Sequence, residues 1–524
     1  MNAPFGGSFL RTRLAACTLC AGLPLFIGSQ AAQAATYTVN QNTWGTSGTV
    51  NSFAWALAQA NGNLGADTIS ISPGLAIDVD GATAGPGGWL TTIDESLTIQ
   101  GHGATLIGNP SFLSSSGNTY TKTNVDVFLP PPFGTDILLQ KAFSFGKLAP
   151  GVSLSISALN SDGLNGFLQL EAGSTASVSN ATVRNAVSYG VSARSVFDAL
   201  VGSTLNLSRV VLDNINPALD SIGPAWSGAI AGENATLNMV RSQIKRAAAA
   251  AGAVVWNGGV ANVVSSQISD SGGLSVRDDS QPGVMNVVNS LISVSAQDSD
   301  IQRLQAFAGG ELIITASSVF QDALYNTYNN CNADIYACAG KPLTAFDNGM
   351  IKLRQSYVSL INSMLPGQIP PGVLSYSTAD LGSGSGGQLV GLDSVWLQTT
   401  PNQNATDLQG LLGNPSLLAS GVPLNLQDLG GGVNAYFPWP AGAYPNPKGP
   451  LINQVTDADG ANQLINPIDG NPIRRDVFGQ PRTSDGLRTI GAVQPTVPAP
   501  LPLAGASAAL VWSRRLRRRC ETQR

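Results

Sequence analysis

Nine stretches of this chain share one pattern, and that pattern limits what the chain can fold into. ASVSNATV (176–183), LNLSRVVL (205–212), LNMVRSQI (237–244), ANVVSSQI (261–268), MNVVNSLI (285–292), LIITASSV (312–319), IKLRQSYV (351–358) and LVGLDSVW (389–396) align as apolar-x-apolar-x-x-Ser-x-apolar, and LSISALNS (154–161) is a looser copy. Successive copies begin 22, 29, 32, 24, 24, 27, 39 and 38 residues apart. Apolar residues two apart face one side of a strand. The next two positions turn the chain, a small residue points inward at the corner, and a β-branched or long aliphatic residue opens the next face. The corner column reads Ser242, Ser266, Ser290, Ser317, Ser356 and Ser394. The column after it reads Val183, Leu212, Ile244, Ile268, Ile292, Val319, Val358 and Trp396. Like residues recur in columns when each copy stacks on the last. A spacing near 24 suits one coil of about three short strands, and the longer spacings add loops that project from the body. A β-sandwich of irregular strands would not give a serine column at near-regular spacing. The pattern therefore predicts an all-β chain folded as a parallel β-helix.

An open stack of this kind has a sheet edge at each end, and bare edges invite aggregation. The N-terminal edge has a candidate cover in NSFAWALAQANG (51–62). Asn51 or Ser52 can cap a short helix, Gly62 can stop it, and Phe53, Leu57 and Ala60 share a face. GADTISI (65–71) reads as the first strand, and LTIQGHGATLIG (97–108) as an early coil.

The two ends carry targeting signals. Arg11 and Arg13 precede the apolar stretch Leu14–Ile27, and Ala32-Gln33-Ala34 is a small-x-small cleavage site, so residues 1–34 read as a secretory signal peptide. At the other end the apolar run Leu501–Trp512 is 12 residues long, which at ~1.5 Å per residue falls short of the ~30 Å core of a bilayer. An arginine cluster follows at once. Of the five cysteines, Cys17 and Cys20 lie in the signal and Cys520 in the tail. Cys331 and Cys338, in CNADIYAC, are expected to form a small loop disulfide in an exported chain.

Export also changes the charge. The chain has 27 Lys and Arg against 32 Asp and Glu; removing Arg11 and Arg13, then the six arginines and Glu521 beyond residue 496, leaves 19 against 31, a net of −12. An acidic body is a poor partner for nucleic acid or an anionic membrane. The basic residues of the C-terminus belong to the tail and do not form a binding patch.

The opening NSFAWALAQANGNLGADTISI (51–71) resembles the start of bacterial exported right-handed β-helix proteins, with Phe53-Ala54-Trp55 in place of their Leu-Arg-Glu. GPLINQV (449–455) and RRDVFGQPRTSDGLRTIGAVQ (474–494) are similar to the closing segment of the choice-of-anchor class of those proteins, through Asp476, Gly479, Pro481, Arg482, Asp485, Gly486, Ile490, Gly491 and Ala492. The resemblance frames residues 51–494 and implies a right-handed parallel β-helix and export, without one activity. The tail resembles a PEP-CTERM sorting signal of the VPxP variant: Pro498 and Pro500, the short apolar run ending at Trp512, then Arg514, Arg515, Arg517, Arg518 and Arg519. That likeness implies transient membrane contact, with the arginines on the cytoplasmic side, and processing by an exosortase-type enzyme.

Two candidate sites carry chemistry. His102, the single histidine, lies in Gly101-His102-Gly103. Pectin-cleaving β-helix enzymes use a GHG segment, but their Asn-Thr-Asp and Asp-Asp stretches precede it and nothing comparable does so here. A glycine turn is the expected role, and one histidine so placed allows neither a Ser-His-Asp triad nor a zinc site. Arg277, Asp278 and Asp279, with Asp298, Asp300 and Arg303, follow successive coil starts at comparable distances. On stacked coils they could converge as an acid–base pair on a glycoside or as Ca²⁺ ligands of a lyase; otherwise they are a solvated loop face. No other cofactor or metal is expected. YFPWPAGAYPNP (436–447) groups Tyr436, Phe437, Trp439 and Tyr444 and is expected to cover the C-terminal end of the stack.

The expected organisation is a signal peptide (1–34), an N-terminal cap and first strands (35–95), β-helix coils (96–400), C-terminal coils and cap (401–495) and a sorting segment (496–524). The expected function is that of a secreted cell-surface or extracellular-matrix protein, structural, adhesive or glycan-binding, with a polysaccharide or surface partner. The alternative is a polysaccharide lyase or glycoside hydrolase on the same fold, since a fold of this kind supports both.

Overall fold

The structure is a computed structural model. It describes most of residues 34–108 and 144–359, short strands at 112–113, 119–120, 379–380, 388–392, 395–397, 408–409, 424–428 and 434–440, and most of 458–493.

The described chain is all-β apart from one helix, and its long sheets are parallel throughout. Sheet 1 has 13 strands, sheet 2 has 11 and sheet 3 has 10. The chain visits them in rotation. Strands Ser153–Ser157, Asn160–Asp162 and Leu168–Leu170 lie in sheets 1, 2 and 3, and the next strand, Thr175–Ser179, returns to sheet 1 beside the first. Each such rung stacks on the previous one, an arrangement consistent with a parallel β-helix.

The register confirms the predicted aliphatic column. Val183, Leu212, Ile244, Ile268, Ile292, Val319, Val358 and Trp396 are successive Cα partners in sheet 2. Those from Val183 to Val319 are buried. Sheet 1 supplies a facing column, Ile99, Ile156, Val178, Leu207, Met239, Val263, Val287, Ile314 and Leu353, also buried. Strands packed on one another through continuous aliphatic columns bury their inner faces, at roughly 25 cal/mol per Å² removed from water.

The expected helix spans Phe53–Gly62, and Ser52 is its N-cap, its Oγ accepting from the Trp55 N–H at 3.2 Å. Phe53, Ala56, Leu57 and Ala60 are buried. Phe53 extends an aromatic column into the core: it stacks on Phe145 at 5.7 Å, Phe145 meets Phe167 at 5.2 Å, and Phe167 meets Phe197 at 5.4 Å. The strand Asp67–Ile71 forms as expected but is not the first. Thr36–Val39 precedes it and pairs in parallel, Thr36 with Thr68 and Val39 with Ile71. Four residues before a turn are a weak sequence signal, and stacking on the neighbouring strand makes them a strand.

The strands Leu424–Asp428 and Asn434–Pro440 pair antiparallel. The second of these, which holds Tyr436, Phe437 and Trp439, approaches Leu291–Val294 on the flank of sheet 2. Among the described residues no helix is long and apolar enough to cross a membrane.

Candidate functional site

The corner between sheets 1 and 2 is built by two adjacent columns. The residue before each corner serine has a left-handed backbone, Arg241 (φ 49°), Ser265 (49°), Asn289 (54°), Ala316 (45°) and Gln355 (50°), as does Arg209 (53°), which precedes Val210 at the same corner of the rung before. Such a conformation disfavours most side chains, and here hydrogen bonds between rungs hold it. The N–H groups of Arg209, Arg241, Ser265, Asn289 and Ala316 donate to the carbonyls of Val240, Val264, Val288, Thr315 and Arg354 in the following rung, at 2.8–3.0 Å. The serines complete the account. The N–H groups of Ser242, Ser266, Ser290 and Ser317 donate to the hydroxyls of Ser266, Ser290, Ser317 and Ser356 at 3.1, 3.1, 3.0 and 3.2 Å. Each hydroxyl donates in turn to the carbonyl two residues earlier in its own rung. A buried amide at a sheet corner has no ladder partner, and the serine of the next rung supplies one. Ser394 lies outside the described residues.

The left-handed residues turn their side chains outward and make a docking line for the C-terminal segment. Asn289 Nδ2 donates to the Arg475 carbonyl at 2.9 Å, and Arg482 donates through Nε and Nη2 to Asn289 Oδ1. Arg482 Nη2 also reaches the carbonyls of Gly491 and Ala492. Arg488 donates to Gln355 Oε1, the Gly491 N–H donates to the Gln355 carbonyl at 3.1 Å, and the Ala492 N–H donates to Ser318 Oγ at 2.9 Å. Leu464 and Ile473 pack on Val288 and Ala316. The described residues of 463–493 therefore form a strap along the flank of the stack, across the rungs of Asn289, Ala316 and Gln355.

Several residues of the closing motif hold this strap, while Asp485, Gly486 and Ile490 lie outside the described residues. Asp476 is buried, and its Oδ1 accepts from the Phe478 and Gln480 N–H groups at 2.9 and 2.7 Å, closing a turn in which Gly479 takes φ 85°. Arg482 is buried, and desolvation together with the nearby Arg488 lowers its pKa to about 9, against the opposing pull of Asp476. It stays protonated at neutral pH and holds the strap as a cation on neutral oxygens.

Between the strap and the bare corner of the earlier rungs lies a groove of about 740 Å³. Arg209 and Arg241 line its stack side, and Arg474, Arg475 and Asp469 its strap side. None of these four guanidinium groups forms an ion pair among the described residues. Arg475 Nη1 donates to the Gly479 carbonyl at 2.7 Å, and Arg209 Nη1 reaches Asn180 Oδ1 at 3.4 Å. Asp469 is exposed, its Oδ1 accepts from the Asn471 N–H at 2.9 Å, and the bonds to Asn471 hold its carboxyl below the usual range. The groove thus carries four cations against two carboxylates, the exposed Asp469 at its rim and the buried Asp476, whose Oδ1 is taken up by the Phe478 and Gln480 N–H groups. Elsewhere on the flank charges are paired: on sheet 2, Asp162, Arg184, Asp213 and Lys245 are successive register partners, with Arg184–Asp162 at 2.8 Å and Lys245–Asp213 at 3.6 Å.

His102 sits in the expected glycine turn, exposed, with Nε2 3.4 Å from Ser70 Oγ. A Cβ on Gly101 would lie 2.4 Å from the Ala158 carbonyl oxygen, so the glycine there is required by packing. Asp278, Asp279, Asp298 and Asp300 lie outside the described residues. The strands beside them are described: Arg277 ends Gly273–Arg277, whereas Arg303 begins the neighbouring strand and pairs with Gly273. Four residues of strand, about 13 Å, separate those two positions along the sheet. Cys331, Cys338 and the tail residues Pro498, Pro500, Trp512, Arg514, Arg515, Arg517, Arg518 and Arg519 also lie outside the described residues, as does the cleavage signal. Among the described residues no three of His, Cys, Asp and Glu come together as metal ligands.

Sequence reasoning missed the groove. It read the basic residues of the C-terminus as part of the tail and gave no role to Arg209 and Arg241, which occupy the same position of two consecutive repeats, or to Arg474-Arg475, which opens the closing motif. No protein-family model matches this sequence, and no curated protein matches it significantly.

Proposed function

We propose that this chain is an exported, right-handed parallel β-helix protein of the cell surface or extracellular matrix, with a structural, adhesive or glycan-binding role. On this reading the C-terminal segment is a PEP-CTERM-like sorting signal processed by an exosortase-type enzyme. The observation that carries the reading is the strap groove: a polar, recessed surface on the side of a long stack whose rungs repeat at about 4.8 Å. A rigid repeating flank suits a repeating polymer, because equivalent groups recur along both. The signal-like N-terminus, the acidic body and the short apolar tail support export and a final place outside the cell.

The test is location and ligand together. Antibody labelling and protease shaving of intact cells, with fractionation of secreted matrix, are expected to find the body outside the cell, separated from residues 496–524. A body confined to the cytoplasm would overturn the reading. Release of new reducing ends or unsaturated sugars, abolished by Asp279→Ala or Asp298→Ala, would replace it with a lyase or hydrolase.

A further inference from the structure

The four groove arginines are placed in a way that asks for an anion. Arg209 and Arg241 follow the register pair Ser208 and Val240, so their backbones sit one rung apart, about 4.8 Å. Two guanidinium groups at that spacing repel each other unless a counter-charge sits between or over them. Among the described residues nothing on the stack supplies one, and the strap that closes the groove adds Arg474 and Arg475 together with two aspartates, Asp469 and the buried Asp476, neither of which is ion-paired to these arginines. The contrast with sheet 2 is direct: there Arg184 and Lys245 each lie beside an aspartate of the preceding rung. In a body with a net charge of −12 by sequence, four unneutralised arginines in one groove form a local positive field.

We propose that this groove binds an acidic polysaccharide, whose carboxylate or sulfate groups seat on Arg209, Arg241, Arg474 and Arg475. The guanidinium fork matches a carboxylate or sulfate in bidentate fashion. The rung spacing is close to the length of one hexose unit, so anionic groups on two successive sugars can meet Arg209 and Arg241 on two successive rungs. Neutral groups of the groove, Asn466 and Asn471 on the strap and Gln243 on the stack, are placed among them to bond hydroxyls. The proposal rests on the glycan-binding reading above and narrows it to one site and one ligand class. It also predicts salt sensitivity, because the arginines are open to solvent and screened by ions.

The exported protein, purified from the secreted fraction, would be titrated with polygalacturonate, dextran sulfate, neutral dextran and duplex DNA, at low and high salt. The proposal expects binding to polygalacturonate, dextran sulfate or both, weakened by salt, with no binding to neutral dextran; the two acidic arms separate carboxylate from sulfate recognition. Arg209→Gln/Arg241→Gln is expected to bind about tenfold more weakly with an unchanged melting curve, and Arg474→Gln, on the opposite wall, to weaken binding independently. Wild-type affinity in both variants, equal binding of neutral dextran, tighter binding of DNA than of either acidic glycan, or no binding of an acidic glycan would each overturn it. A protein that is found at the cell surface but fails these titrations keeps the broader reading and loses this groove.

Discussion

The backbone N–H of Ser266 donates to the hydroxyl of Ser290, 3.1 Å away in the next rung, and that hydroxyl donates onward to the Val288 carbonyl at 2.9 Å. One side chain thereby satisfies two buried backbone groups at a corner where the strand ladder is interrupted. Ser290→Ala leaves the Ser266 amide buried without a partner. The cost is about 1–3 kcal/mol, read as a lower midpoint in urea unfolding, and Ser290→Thr, which keeps the hydroxyl, recovers part of it.

Ser161 is the counter-example. It occupies the sheet 2 column between Leu106 and Val183, is buried, and its hydroxyl finds no partner. Ser161→Val is expected to raise stability by about 1–2 kcal/mol, by removing an unsatisfied hydroxyl and adding buried apolar surface. A lower unfolding midpoint in the variant would show that the site is already filled.

On the outer face of sheet 1, Asn262 Nδ2 donates to Asn238 Oδ1 at 2.9 Å, Asn286 Nδ2 donates to Asn262 Oδ1 at 3.0 Å, and Asn238 and Asn262 are Cα partners. Adjacent rungs at about 4.8 Å suit a disulfide, and rungs two apart, at about 9.6 Å, do not. Asn238→Cys with Asn262→Cys is expected to cross-link on mild oxidation, as mapped by peptide mass. Asn238→Cys with Asn286→Cys is not expected to do so.

Arg482 joins the strap to Asn289 and to the carbonyls of Gly491 and Ala492. Arg482→Ala removes those bonds and leaves Asn289 Oδ1 without its cation. Amide hydrogen exchange across 474–492 is expected to quicken by about tenfold or more, given about 1.5–3 kcal/mol for bonds to a charged group. Exchange in the rungs near Phe167 should not change.

The columns were legible because stacking forces like residues into equivalent positions. Val183, Ile244 and Ile292 could be aligned by eye, and so could Ser242, Ser266 and Ser290. The asparagine ladder was present in the same lines, in LNMV, ANVV and MNVV, but an outward polar residue carries no obligation to repeat, so it had no weight until the register was known. The left-handed corner was equally hidden, since Arg241, Ser265 and Ala316 share no side-chain chemistry and are held by the next rung's carbonyls. The strap was least legible. Asn289 and Arg482 lie 193 residues apart, and no local pattern says which corner a closing segment will cross. The groove exists only once it has crossed, which is why Arg209 and Arg474 were not read as one site.

The most direct test of the account is a hydrogen-exchange footprint of the full chain with and without polygalacturonate fragments. The account predicts protection in 205–212, 237–244 and 463–479, the two walls of the groove, with the sheet 2 and sheet 3 faces unchanged. Protection on another face, with those three segments unaltered, would contradict it.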